Sequence, residues 1–114
     1  ALFDAYGRDG NAVAALMEEM KAGGFHISQG ALQALRAGFA SGRCSEDETL
    51  ATILRHWKTT GELLCPHTAV GVKVAEEHSG LSPMITLATA HPAKFPDAVE
   101  RATGIRPALP PHMA

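Results

Sequence analysis

Thr89-Ala90-His91-Pro92-Ala93-Lys94-Phe95 places a hydroxyl, an imidazole and an amine within one short string. The string follows an apolar run, Met84 to Ala88, bounded by turn signals. That run reads as a buried strand of the kind found inside a parallel sheet. A helix beginning at Pro96 follows. Ligands of open α/β sheets gather outside the carboxyl ends of strands, and a helix N-terminus adds backbone donors suited to an anion. The same residues have a plainer reading, in which Thr89 and His91 hydrogen-bond the turn and Lys94 is solvated. Upstream, Cys65-Pro66-His67-Thr68 puts a second imidazole in the first turn of a helix. There it faces a pocket or satisfies a loop carbonyl. Cys65 reads as a small buried or half-buried packing residue.

Other chemistries lack their patterns. There is no Cys-x-x-Cys pair and no paired histidine at metal spacing, so no metal site is expected. No Gly-x-Ser-x-Gly elbow is present, and Cys65 and His67 stand too close on a helix start to act as a nucleophile–base pair. Gly7-Arg8-Asp9-Gly10 is a turn, and no strand feeds a glycine-rich phosphate loop.

The elements around these residues are mostly helical. Asp9 caps a helix with Val13, Leu16, Met17 and Met20 on one face, ended by Gly23-Gly24. Phe25-His26-Ile27 is a short β-like piece. Ser28 caps a second helix with Leu32, Leu35 and Phe39 on one face, and Ala40 to Cys44 is a turn. Ser45 and Glu48 make a capping box ahead of a helix whose stripe is Leu50, Ile53, Leu54 and Trp57, ending near Gly61. Trp57 is expected to be buried there. Pro66 opens a further helix in which Gly71 permits close approach of a neighbour, and Ser79 to Pro83 breaks it. The last helix, Pro96 to Ala102, ends at Gly104, and 105–114 reads as an irregular tail. The expected class is therefore α/β, helix-rich, with one clear buried strand at about 84–88 and five or six helices. A lone strand needs partners from elsewhere, so uncovered apolar surface is expected where the rest of a sheet would lie.

The chain has 114 residues, 46% hydrophobic and 19% charged, a globular composition. Its 10 Lys+Arg against 12 Asp+Glu give a net charge of -2, which argues against nucleic acid or an anionic membrane as partner. No apolar run approaches the ~20 residues of a membrane span, and no signal peptide is visible. Two cysteines give no disulfide framework, so a reducing, cytoplasmic setting is expected. The start at Ala1 and the Pro110-Pro111-His112-Met113-Ala114 end suggest one segment, natural or trimmed, of a longer catalytic chain.

Three strings then resemble one family together: Cys65-Pro66-His67-Thr68-Ala69-Val70-Gly71-Val72, Met84 to Thr89, and Ala90-His91-Pro92-Ala93-Lys94-Phe95-Pro96. In order and spacing they look like the C-terminal part of threonine synthase, as does Asp47-Glu48-Thr49 running to Thr60-Gly61-Glu62-Leu63-Leu64. The likeness extends from about Leu2 to Pro107 and is sharpest between Glu46 and Gly104. It implies a pyridoxal-phosphate enzyme of fold type II, tryptophan-synthase-β-like. This lyase converts O-phospho-L-homoserine and water to L-threonine and phosphate in amino-acid biosynthesis. It further implies that Thr89 faces the pyridine nitrogen of the cofactor, that His91 and Lys94 line the pocket, and that His67 supports the junction.

Two departures from that family stand out. An acidic residue is common where this chain has Cys65. Cysteine caps poorly, so a local cost of about 0.5–2 kcal/mol is expected. The lysine that forms the Schiff base and the loop that holds the cofactor phosphate belong to the family's N-terminal part. Lys21, Lys58, Lys73 and Lys94 do not sit in that lysine's motif. By this resemblance the segment holds no catalytic residue, binds the cofactor weakly or not at all, and is inactive without the remainder of the enzyme. The rival expectation is a stand-alone helical binding or regulatory module that does no catalysis.

Overall fold

Helix caps organise the chain. A computed structural model describes all residues except Ser79, Leu81, Ala114 and the side chain of Met113. It divides into two compact units, Ala1–Ser41 and Gly42–Ala114.

In the first unit, α1 (Leu2–Ala5), α2 (Gly10–Lys21) and α3 (Gln29–Gly38) pack together. The Asp9 carboxylate accepts from the amides of Asn11 and Ala12, at 2.9 and 3.2 Å, which satisfies donors the first turn leaves free. Ser28 does the same for Ala31. The Ser28 amide in turn donates to the Tyr6 hydroxyl at 3.0 Å, tying the end of α1 to the start of α3. Only Leu16 and Ala31 are buried in this unit. Two expectations change here. Phe39 lies beyond α3 and is 65% exposed, so it does not join an apolar face. Phe25-His26-Ile27 takes no strand conformation.

In the second unit, α4 (Glu46–Thr60) packs on both α5 (Pro66–Glu77) and α6 (Pro96–Thr103). The expected capping box is formed. The Glu48 amide donates to the Ser45 hydroxyl at 3.3 Å, and the Ser45 amide donates to the Glu48 carboxylate at 2.7 Å. Gly61 and Gly104 stop α4 and α6 at φ of 75° and 74°, left-handed values that glycine adopts without a Cβ clash. The core consists of Ile53, Cys65, Ala69 and Val99, with Thr49, Thr52 and Thr68 buried beside them. Trp57 is only half-buried, so the centre of the α4 stripe is Ile53 and not the indole. Across α4 and α5 the Arg55 guanidinium grips Glu76 with two bonds of 2.8 and 2.6 Å. Arg101 of α6 pairs with Glu46 of α4.

The α/β class and the buried strand at 84–88 are overturned. Six α-helices and two 3₁₀ turns, Pro92–Lys94 and Pro111–Met113, account for all regular structure among the described residues. Residues 83–89 form no ladder. Nor are they buried: Met84 is 50%, Ile85 83% and Leu87 76% exposed. A strand exists only through hydrogen bonds to a neighbour, and no described residues supply one. The apolar run signalled a need for cover, which is a weaker statement than strand. The expectation for Gly71 held in another form. A Cβ there would meet the Thr86 methyl at 3.2 Å, so the glycine lets the 84–88 stretch pass close to α5.

Candidate functional site

Thr89 is fastened from behind by α5. Its amide donates to the Thr68 hydroxyl at 3.1 Å. The Cys65 thiol lies 3.1 Å from that same hydroxyl and accepts from the Thr68 amide at 3.3 Å. Cys65 therefore does cap α5, contrary to the expectation for a cysteine. Its sulfur also stands 3.9 Å from the Thr89 hydroxyl. Burial pushes the thiol up. The hydrogen bonds from the Thr68 side chain and amide, then from Thr89 and the His67 amide, outweigh it and hold the thiol below its ordinary value.

His91 sits at the start of the 3₁₀ turn Pro92–Lys94, where its Nδ1 accepts from the Ala93 amide at 3.1 Å. In the neutral ring this leaves Nε2 carrying the proton. The bond is the turn-holding role of the plainer reading, and it leaves the far edge of the ring free. His67 packs against Phe95 with ring centroids 4.7 Å apart and planes tilted by 54°. Thr89, His91, Lys94 and His67 are all exposed.

The structure brings these four residues around Ala90. A cavity of about 360 Å³ is lined by Thr89, Ala90, His91, Ala93, Lys94 and Leu109. A second, of about 350 Å³, is lined by His67, Thr89, Ala90, Lys94 and Phe95. A third, of about 470 Å³, opens toward Cys65 and Thr68 and shares Thr89 and His91. Thr89 is common to all three. Sequence reasoning missed the part played by Thr68. Its position three residues after the capping residue was the available signal, because the amide there meets the cap and a polar side chain beside it has a second bond to make.

Among the described residues, no cluster of histidine, cysteine, aspartate and glutamate could hold a metal ion. No helix among them is long and apolar enough to cross a membrane. Both cysteines are free thiols.

An exposed hydroxyl on a fixed backbone, two imidazoles and an amine lie at the rim of shallow cavities, groups that can hydrogen-bond a ligand. Known proteins are similar along almost the whole chain. Residues 68–114 match the family described as "Threonine synthase, C-terminal". Threonine synthase from Pseudomonas aeruginosa is 48% identical over 117 aligned residues, covering 99% of this chain and 25% of the relative. That from Methylobacillus glycogenes is 40% identical, covering 96% and 24%. The crystal structure of pyridoxal-phosphate-bound threonine synthase from Brucella melitensis superposes with a TM-score of 0.85 at 54% identity, covering 97% of this chain and 24% of that one. The chain belongs to the threonine synthase family. It spans about a quarter of the length of the relatives it matches.

Proposed function

We propose that this chain is a C-terminal portion of a cytoplasmic threonine synthase, a pyridoxal-phosphate-dependent lyase. The full enzyme converts O-phospho-L-homoserine and water to L-threonine and phosphate. The observation that carries this reading is identity of 48–54% along almost the whole chain to threonine synthases, one of them with the cofactor bound.

The residues present suit one edge of that cofactor. Thr89 is exposed, and among the described residues its Oγ1 makes the long contact to Cys65 alone, so it retains hydrogen-bonding capacity for a ring nitrogen. The cofactor, when bound, supplies the electron sink for carbanion chemistry. Thr89 would hold the pyridine nitrogen with a neutral hydroxyl, which would leave that nitrogen largely unprotonated. His91 and Lys94 line the same cavity, and His67 braces it through Phe95. The lysine that anchors the cofactor and the loop for its phosphate come from the remainder of the enzyme. That remainder also covers the exposed Met84, Ile85 and Leu87. The segment alone does not catalyse.

The test is to express the full-length protein with pyridoxal phosphate and follow phosphate release and threonine formation from O-phospho-L-homoserine. Stoichiometric appearance of both products is expected. Turnover of a different phosphorylated amino acid in its place overturns the substrate assignment. A site-specific cofactor adduct on residues 1–114 alone overturns the claim that the anchoring lysine lies outside them and favours an independent module.

A further inference from the structure

The buried corner behind Thr89 has more hydrogen-bonding order than a helix cap requires. Cys65 is 1% and Thr68 5% exposed, so both work out of water. Thr68 Oγ1 accepts the Thr89 amide at 3.1 Å. The Cys65 sulfur lies 3.1 Å from the same oxygen, where sulfur or oxygen can be the donor. The sulfur also accepts the Thr68 amide at 3.3 Å. The remaining oxygen in range is Thr89 Oγ1 at 3.9 Å, where again sulfur or oxygen can be the donor. Thr68 holds the main chain of Thr89. Once the Thr89 hydroxyl gives its proton outward to a ligand, its oxygen is free to accept the Cys65 S–H.

We infer that Cys65 and Thr68 are positioning residues for Thr89, turning its hydroxyl so that the O–H donates toward the pyridine nitrogen of the bound cofactor. The inference rests on the reading of Thr89 as the ring-nitrogen partner. It adds that the Cys65 side chain acts on the cofactor through Thr89 as well as capping α5.

A double-mutant cycle in the full-length protein tests it, with the dissociation constant of pyridoxal phosphate read by absorbance titration of the apoenzyme. Thr89→Val should weaken binding about ten-fold, and Cys65→Ala about five-fold, the scale of one weak hydrogen bond. In the Thr89→Val background, Cys65→Ala should have no further effect, because the group it orients is gone. Cys65→Ser, which keeps a donor and an acceptor, should recover most of the loss. An equal penalty for Cys65→Ala in both backgrounds overturns the positioning role and leaves a cap alone. An unchanged constant in Thr89→Val overturns the underlying reading of Thr89, and the positioning role with it. If Cys65→Ala does not accumulate as folded protein, Cys65→Val, which also removes the S–H but fills more of its space, replaces it in the cycle and is judged by the same criterion.

Discussion

The Thr89 amide and the Thr68 hydroxyl meet at 3.1 Å across twenty-one residues of sequence. This bond, rather than a ladder, fixes the end of the 83–89 stretch. Thr89→Val keeps it, because only the side chain changes. The folded state of the full-length enzyme should therefore survive, while turnover falls by about ten-fold, the equivalent of roughly one hydrogen bond. Steady-state phosphate release alongside a thermal melt separates the two effects. Wild-type turnover in the valine variant removes Thr89 from the site.

Ile53 is fully buried where α4 meets its neighbours, while Trp57 is half-buried. Ile53→Ala should cost about 2–5 kcal/mol through lost contacts and a residual cavity. Trp57→Ala should cost less than Ile53→Ala, the reverse of what side-chain size alone suggests. Urea unfolding of both variants ranks them.

Glu48 is held below the usual carboxylate range, first by the Ser45 amide, then by the Ser45 hydroxyl and by Lys73. A carboxylate with a lowered folded value stabilises fully above the ordinary value of 4.5. That contribution is lost as pH falls through the lower folded value. Glu48→Gln should flatten this acid limb of the stability–pH curve by lowering the neutral plateau, with stability at the acid end little changed. Denaturant midpoints collected between neutral pH and the acid limb check it.

The two units differ in what they bury. Gly42–Ala114 buries Ile53, Cys65, Ala69, Val99 and three threonines, whereas Ala1–Ser41 buries Leu16 and Ala31. Local opening is governed by such contacts. Amides in α4 and α5 should exchange with deuterium markedly more slowly than those in α2 and α3. Equal protection across the four helices contradicts this.

Much of the helical scaffold was legible in the sequence, because caps are local chemistry. Asp9, Ser28, Ser45 with Glu48, Pro66, Gly61 and Gly104 all act where their side chains or backbone freedom indicated. What depended on distant partners was less readable. Met84 to Ala88 showed an apolar pattern, but pattern does not say whether a neighbour exists to pair with. The α4 stripe named Trp57, but burial of one residue depends on what α5 and α6 bring against it. Cys65 was read by residue type as a poor cap. The buried Thr68, which gives the sulfur both a donor amide and a hydroxyl, changed that. Of the candidate site, Thr89, His91, Lys94 and His67 were legible as one neighbourhood. The corner behind Thr89 was not, because it is built from a tertiary contact.

The uncovered 84–88 stretch also governs how the chain behaves in a test tube. Met84-Ile85-Thr86-Leu87-Ala88 carries no charge and no proline, and its three large apolar side chains face solvent. Such a ribbon, with backbone groups outside any ladder, is a template for association between copies. As a separate polypeptide this segment should scatter light increasingly as it is concentrated. A charged residue in place of Ile85 is the simplest way to keep it dispersed for spectroscopy.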